Sequence, residues 1–258
     1  MIRTKIPLNY QYDEIRHTNF PINELVDLTN YDYIYVLELH YPYTDIKYLN
    51  GLIERMDELT VKGFKVGLLL LGDTLDTPKN GKLRGDYPLL TSKEVIEGFE
   101  KDILFKIMPY LKVWILNNHD FEFMEIKDNP TDKVAYNIWK EWIPILRSNG
   151  VFITKRVVKS QFRECKAVFE HEHLMPSTVN NRAWKYKNYQ YRIFAGNHQA
   201  FMLENIYEDD YESHKNIGVP PCVTGLFQYA EERMNPPLLA RVLEIDQTKK
   251  PIELREIT

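Results

Sequence analysis

Asn118, His119 and Asp120 set an amide, an imidazole and a carboxylate side by side just past the apolar run Val113-Trp114-Ile115-Leu116. Such groups bind a divalent cation or move a proton. Two clusters of the same chemistry lie upstream, each again behind an apolar run: Glu38 and His40 after Tyr35-Val36-Leu37, and Gly72-Asp73 with Asp76 after Leu68-Leu69-Leu70-Leu71. Downstream, His171 follows Ala167-Val168-Phe169, and Asn197, His198 and Gln199 follow Gly196. A two-metal phosphoester hydrolase needs a carboxylate bridging ions about 3.5–4 Å apart, imidazoles and oxygen donors on each ion, and a proton donor for the leaving group. Asp73 suits the bridge, since a carboxylate beside a glycine has two oxygens to share and a neighbour that permits close approach. Glu38 and His40 suit one ion, and Asn118 offers a neutral carbonyl oxygen. Each residue also has an ordinary use when taken singly: Asp73 as a helix cap, Asn118 as a turn residue, His171 as a hydrogen-bonded polar group. The ordered set is what points to a metal.

Strand ends must deliver these groups. Tyr33 to Leu39 reads as a strand in which Glu38 and His40 share a parity and point the same way where it ends. Ile46, Leu49, Ile53, Met56 and Leu59 recur at helical steps, with Thr44 as the expected cap and Gly63 as the stop. Lys65 to Leu71 reads as a buried parallel strand, and the segment from Thr77 to Thr91 as a loop overhanging the site. Val95, Phe99, Ile103 and Ile107 predict a helix from Ser92 to Pro109, and Val113 to Leu116 the next strand. Thr131 to Leu146 reads as a helix ended by Ser148-Asn149-Gly150. Val151 to Val158, Lys166 to Phe169, Gln190 to Ala195 and Leu238 to Ile245 read as strands, the last followed by a polar tail. This alternation predicts right-handed βαβ units on a mostly parallel sheet, with the ligand crevice past the carboxyl ends of its strands.

The rest of the sequence narrows the class. At 258 residues, 44% of them hydrophobic, the chain can bury a large core, and with no repeat or linker in view residues 1–258 are expected to form one domain. A net charge of −4 gives no electrostatic case for tight non-specific binding to nucleic acid. Cys165 and Cys222 stand far apart with no CxxC partner, so neither a zinc knuckle nor a disulfide framework is indicated. No signal-peptide core and no membrane-length apolar run is present, so a soluble cytoplasmic protein that does not engage membranes is expected.

In order and spacing the motifs resemble those of the calcineurin-like metallophosphoesterase superfamily: Glu38-Leu39-His40, Gly72-Asp73-Thr74-Leu75-Asp76, Asn117-Asn118-His119-Asp120, His171 and Gly196-Asn197-His198-Gln199, over about Asp32 to Asp246. The resemblance implies a four-layer α/β/β/α sandwich of two mixed sheets flanked by helices. It implies two divalent ions, manganese, iron, zinc or nickel, held by Glu38, His40, Asp73, Asn118, His171, Asn197 and Gln199. It also implies hydrolysis of a phosphomono- or phosphodiester substrate by metal-activated hydroxide, with His119 as general acid and Asp120 orienting its ring.

The chain departs from the pattern at both ends. Glu38 stands for an aspartate, and Asn197 and Gln199 put amides where the family has histidines, which are better ligands for these metals. His198 replaces one of them if the loop slips by a residue, and otherwise a single retained ion is the expectation. Two rival readings follow. One is a phosphoesterase fold without catalysis that serves as a binding or structural module. The other is a nuclease of the same superfamily, with Lys155, Arg156, Lys159 and Arg163, or Arg182, Lys185 and Lys187 among Trp184, Tyr186 and Tyr189, tracking a phosphate backbone.

Overall fold

The computed structural model describes residues 5–7, 25–75, 92–116, 134–136, 138–155, 157–171, 186, 188–196, 201–206, 213–223 and 240–257. Apolar runs become strands β3 (Tyr33–Leu37), β4 (Val66–Leu71), β5 (Leu111–Leu116) and β7 (Phe152–Lys155), laid parallel and side by side, with β13 (Val242–Asp246) and β14 (Glu253–Ile257) added antiparallel beyond β3. A second sheet has the order β11-β12-β10-β9-β8-β2, formed by β2 (Leu25–Asp27), β8 (Val157–Gln161), β9 (Lys166–His171), β10 (Tyr191–Ala195), β11 (Phe201–Ile206) and β12 (Ser213–Gly218). A short pair joins β1 (Lys5–Pro7) to β6 (Val134–Tyr136).

Strand parity decides where the cores sit. Ile34, Val36, Leu69, Leu71, Val113 and Ile115 face Val158, Phe169, Ile193 and Ile217 of the second sheet in one apolar layer. The alternate residues Tyr35, Leu37, Leu68, Leu70, Trp114 and Leu116 pack on the helices. Each such buried side chain contributes roughly 1.5–3 kcal/mol. Two mixed sheets face to face, with helices against one of them, form an α/β sandwich, the two-sheet core expected from the sequence. Among the described residues helices cover only the β3 sheet, whereas helices on both sheets were expected.

Helix α1 (Ile46–Val61) starts one residue later than its expected cap implies: Asp45 accepts from the Tyr48 amide at 2.9 Å, while the Thr44 hydroxyl donates to Leu39 O and closes the preceding turn. It ends as expected on Gly63, whose φ of 90° lets Gly63 N and Phe64 N donate to Thr60 O and Leu59 O. Helix α2 comprises Ser92–Phe99, a π turn at Glu100–Leu104, and Phe105–Ile107.

Several expectations are corrected. The helix expected from Thr131 begins only at Ile138 (α3, Ile138–Ser148), because Val134–Tyr136 pairs as a strand with β1. The single strand expected over Val151 to Val158 is two strands that belong to different sheets. The polar tail contains β14, which pairs along the whole of β13.

Candidate metal centre

The parallel strands β3 and β4 end side by side, and the chain bends sharply at both ends. His40 has φ 54° and Asp73 φ 42°, beside Gly72 at φ 84°. Left-handed backbone costs an ordinary residue roughly 1–2 kcal/mol, and such strain concentrates at functional sites. The two bends are tied to each other, His40 N donating to Asp73 O at 2.7 Å and Tyr41 N to Thr74 O at 2.9 Å. The second sheet adds the end of β9, where His171 has the inward parity of Ala167 and Phe169.

The side chains converge. Asp73 Oδ2 lies 3.3 Å from His171 Nε2 and 3.8 Å from His40 Nε2, and His40 Nε2 lies 3.0 Å from Glu38 Oε1. Glu38, Asp73 and His171 each turn a ligand atom to a common point, all within 4.8 Å of one another, and all are buried. Ligands bound to one ion at about 2.0–2.2 Å stand about 3.0–3.5 Å apart, and the 3.3 Å between Asp73 Oδ2 and His171 Nε2 is the separation of two donors on a single divalent cation. The chemistry of the set fits as well: hard carboxylate oxygens with imidazole nitrogens suit zinc, iron, manganese or nickel.

His171 Nδ1 donates to Leu71 O at 2.5 Å, which fixes the ring and turns Nε2 to the carboxylates. Burial works against a charge on this ring. The hydrogen bond and charge of Asp73, the charge of Glu38 and the Leu71 carbonyl outweigh it and raise its pKa to about 9. A cation held at this point would take the place of that proton.

The Glu38 side chain reaches from the end of β3 to the second sheet. Oε2 accepts from Gly196 N, at the end of β10, at 3.1 Å, while Oε1 faces His40. The Glu38 carbonyl also accepts from Cys222 N at 2.7 Å. The Glu38 carboxylate is thus tied to the strand end that leads into Gly196-Asn197-His198-Gln199.

The structure therefore brings together Glu38, His40, Asp73 and His171. Asn118, His119, Asp120, Asn197, His198 and Gln199 lie outside the described residues, as does the loop from Thr77 to Thr91. The sequence did not reveal the roles of Gly196 and Leu71, which act through backbone atoms. Of the basic strips, Arg163 is engaged by Asp32 at 2.7 Å and by the carbonyls of Thr29 and Gln247. Tyr186 is buried, its carbonyl accepting from Arg192. Arg156, Arg182, Trp184, Lys185 and Lys187 lie outside the described residues. Among the described residues no helix is long and apolar enough to cross a membrane.

No family model matches the chain. No curated protein matches it either. Among solved structures, an archaeal phosphodiesterase is similar over 87% of this chain and 98% of its own, at 15% identity and a TM-score of 0.45. A hypothetical protein from Pyrococcus horikoshii OT3 is similar over 87% and 88%, at 14% identity and a TM-score of 0.48. Vps29 from Entamoeba histolytica, in complex with zinc, is similar over 87% and 98%, at 9% identity and a TM-score of 0.39. Likeness at this level assigns no function.

Proposed function

We propose that this chain is a divalent-metal phosphoesterase whose ion is held by Asp73 and His171, with Glu38 and His40 beside them. The observation that carries the reading is Asp73 Oδ2, buried between two imidazole nitrogens at 3.3 and 3.8 Å on bends of strained backbone. A divalent ion there would supply Lewis-acid charge for the phosphoryl oxygens and an activated water. The protein's own part is to hold the buried donors in place, with Leu71 O fixing the tautomer of His171 and Gly196 N fixing Glu38. His119, which follows β5 in sequence, is assigned to protonate the leaving oxygen and Asp120 to orient it, by the motif they match. The substrate class is a phosphomono- or phosphodiester. A second ion depends on Asn118, Asn197, His198 and Gln199.

The test is turnover of bis-p-nitrophenyl phosphate and p-nitrophenyl phosphate by protein loaded with manganese, zinc, iron or nickel. Turnover that Asp73→Asn and His119→Ala abolish, with His119→Ala still binding metal, supports the reading; no turnover with any of them overturns it.

One observation favours a second reading. Glu38 and His40 already satisfy each other, and Gly196 N takes the remaining Glu38 oxygen, so this half of the site is complete without an ion. A binding module without catalysis would then bind no manganese or zinc in calorimetry.

A further inference from the structure

His40 and Asp73 hold left-handed conformations, so the fold must hold them there. The residues that follow them do this. Tyr41 N and Thr74 O are joined at 2.9 Å, and both side chains enter the helix layer. The Tyr41 ring lies edge-on to Phe99, at 5.8 Å and 62°, and its hydroxyl donates to Asp102 at 3.2 Å. Thr74 Oγ1 accepts from Trp114 Nε1 at 2.9 Å. Phe99, Trp114 and Trp142 pack against one another, and Trp142 Nε1 donates to Glu100 at 2.7 Å. Glu100 and Asp102, the two acceptors, lie on the π turn of α2, a distortion that recurs at functional sites.

Gly98 makes the room. A Cβ there would stand 2.2 Å from the Tyr41 hydroxyl oxygen and 3.1 Å from Cζ. A glycine inside a helix costs about 1 kcal/mol relative to alanine, so a packing reason is expected, and the phenol supplies it.

We propose that Tyr41, seated in the notch at Gly98, and Trp114, acting through Thr74, are positioning residues for His40 and Asp73. This aromatic seat holds both bends and through them the spacing of the ligand atoms. The inference rests on the phosphoesterase reading for what those ligands bind.

The experiment compares G98A, Y41F and the G98A/Y41F double variant with the wild type. It measures manganese affinity by calorimetry and the ring-nitrogen NMR resonances of His40 and His171 in metal-free protein. G98A expels the phenol and should weaken manganese binding by about 10–100-fold, the usual effect of losing a ligand's support. In the double variant the 2.2 Å clash with the hydroxyl oxygen is gone and only the 3.1 Å approach to Cζ remains, which a small shift of the ring relieves, so affinity should return to within a few-fold of Y41F alone. Manganese affinity equal to wild type in every variant while thermal stability falls, or a double variant no better than G98A, overturns the proposal. If G98A does not fold, Trp114→Phe removes the Nε1 donor and should weaken binding several-fold; unchanged affinity there overturns the proposal. If the wild type binds no manganese, the phosphoesterase reading falls, and the histidine spectra decide the positioning claim. Resonances displaced in G98A and restored in the double variant support it, and resonances unmoved in G98A overturn it.

Discussion

In the metal-free protein, replacing Asp73 by asparagine should remove a pH dependence of stability that His171 creates. His171 is buried, which opposes its charge, yet Asp73 at 3.3 Å, with Glu38 and the Leu71 carbonyl, raises its pKa to about 9. An unfolded histidine titrates near 6.5, so between about 6.5 and 9 the folded state binds the extra proton. A raised histidine pKa contributes stability that is fully present below about 6.5 and lost as pH rises through about 9. The difference corresponds to about 3 kcal/mol. Urea unfolding of chelator-treated protein at a series of pH values from 6 to 9.5 should therefore show stability falling over that window by this order. Asp73→Asn keeps the shape but removes the charge, and with it the largest of the influences that oppose burial. Its stability should change far less across the window, and the His171 ring should titrate lower by NMR. A wild-type stability that is level from pH 6.5 to 9, or a variant with the same slope as wild type, would refute the assigned contact.

Further outcomes follow from contacts away from the site. Glu244 is buried and receives Arg55 at 3.0 Å, Arg255 and the Tyr35 hydroxyl at 2.7 Å, so Glu244→Gln should cost about 1–3 kcal/mol in urea unfolding; no loss would mean that the arginines simply resolvate. Burial raises the thiol of Cys165 to about 12 and that of Cys222 further, so neither should react readily with a disulfide reagent at pH 8 until urea is added. Arg163→Ala should lower stability by about 1–2 kcal/mol and leave the salt dependence of any single-strand binding unchanged, since that guanidinium is held by Asp32 and two carbonyls; a reduced salt slope would return Arg163 to a nucleic acid surface.

The convergence of Glu38, His40, Asp73 and His171 was legible in the sequence because each sits where a short apolar run stops, and buried strands that stop together bring together what stands at their ends. What parity and composition cannot carry is which sheet a strand joins. Val151 to Val158 reads as one strand, yet Phe152–Lys155 and Val157–Gln161 lie in opposite layers. Glu253–Ile257 looks polar because it is an edge strand with exposed Glu253, Arg255 and Glu256, and its partner β13, not its composition, orders it. Asp45 outcompeted Thr44 as the cap of α1 because the threonine hydroxyl was already needed at Leu39 O. The bond from Gly196 N to Glu38 joins residues far apart in sequence across the two sheets, and a backbone amide leaves no mark on residue type. Gly98, too, drew no notice in the sequence, since only the Tyr41 ring packed against it shows what its missing side chain makes room for.

Anomalous scattering from crystals soaked in manganese tests the central claim most directly. A peak bonded to Asp73 Oδ2 and His171 Nε2, with Glu38 or His40 completing its contacts and lost in Asp73→Asn, is the predicted result. Manganese absent from that point while full occupancy is reached elsewhere on the molecule would contradict the account.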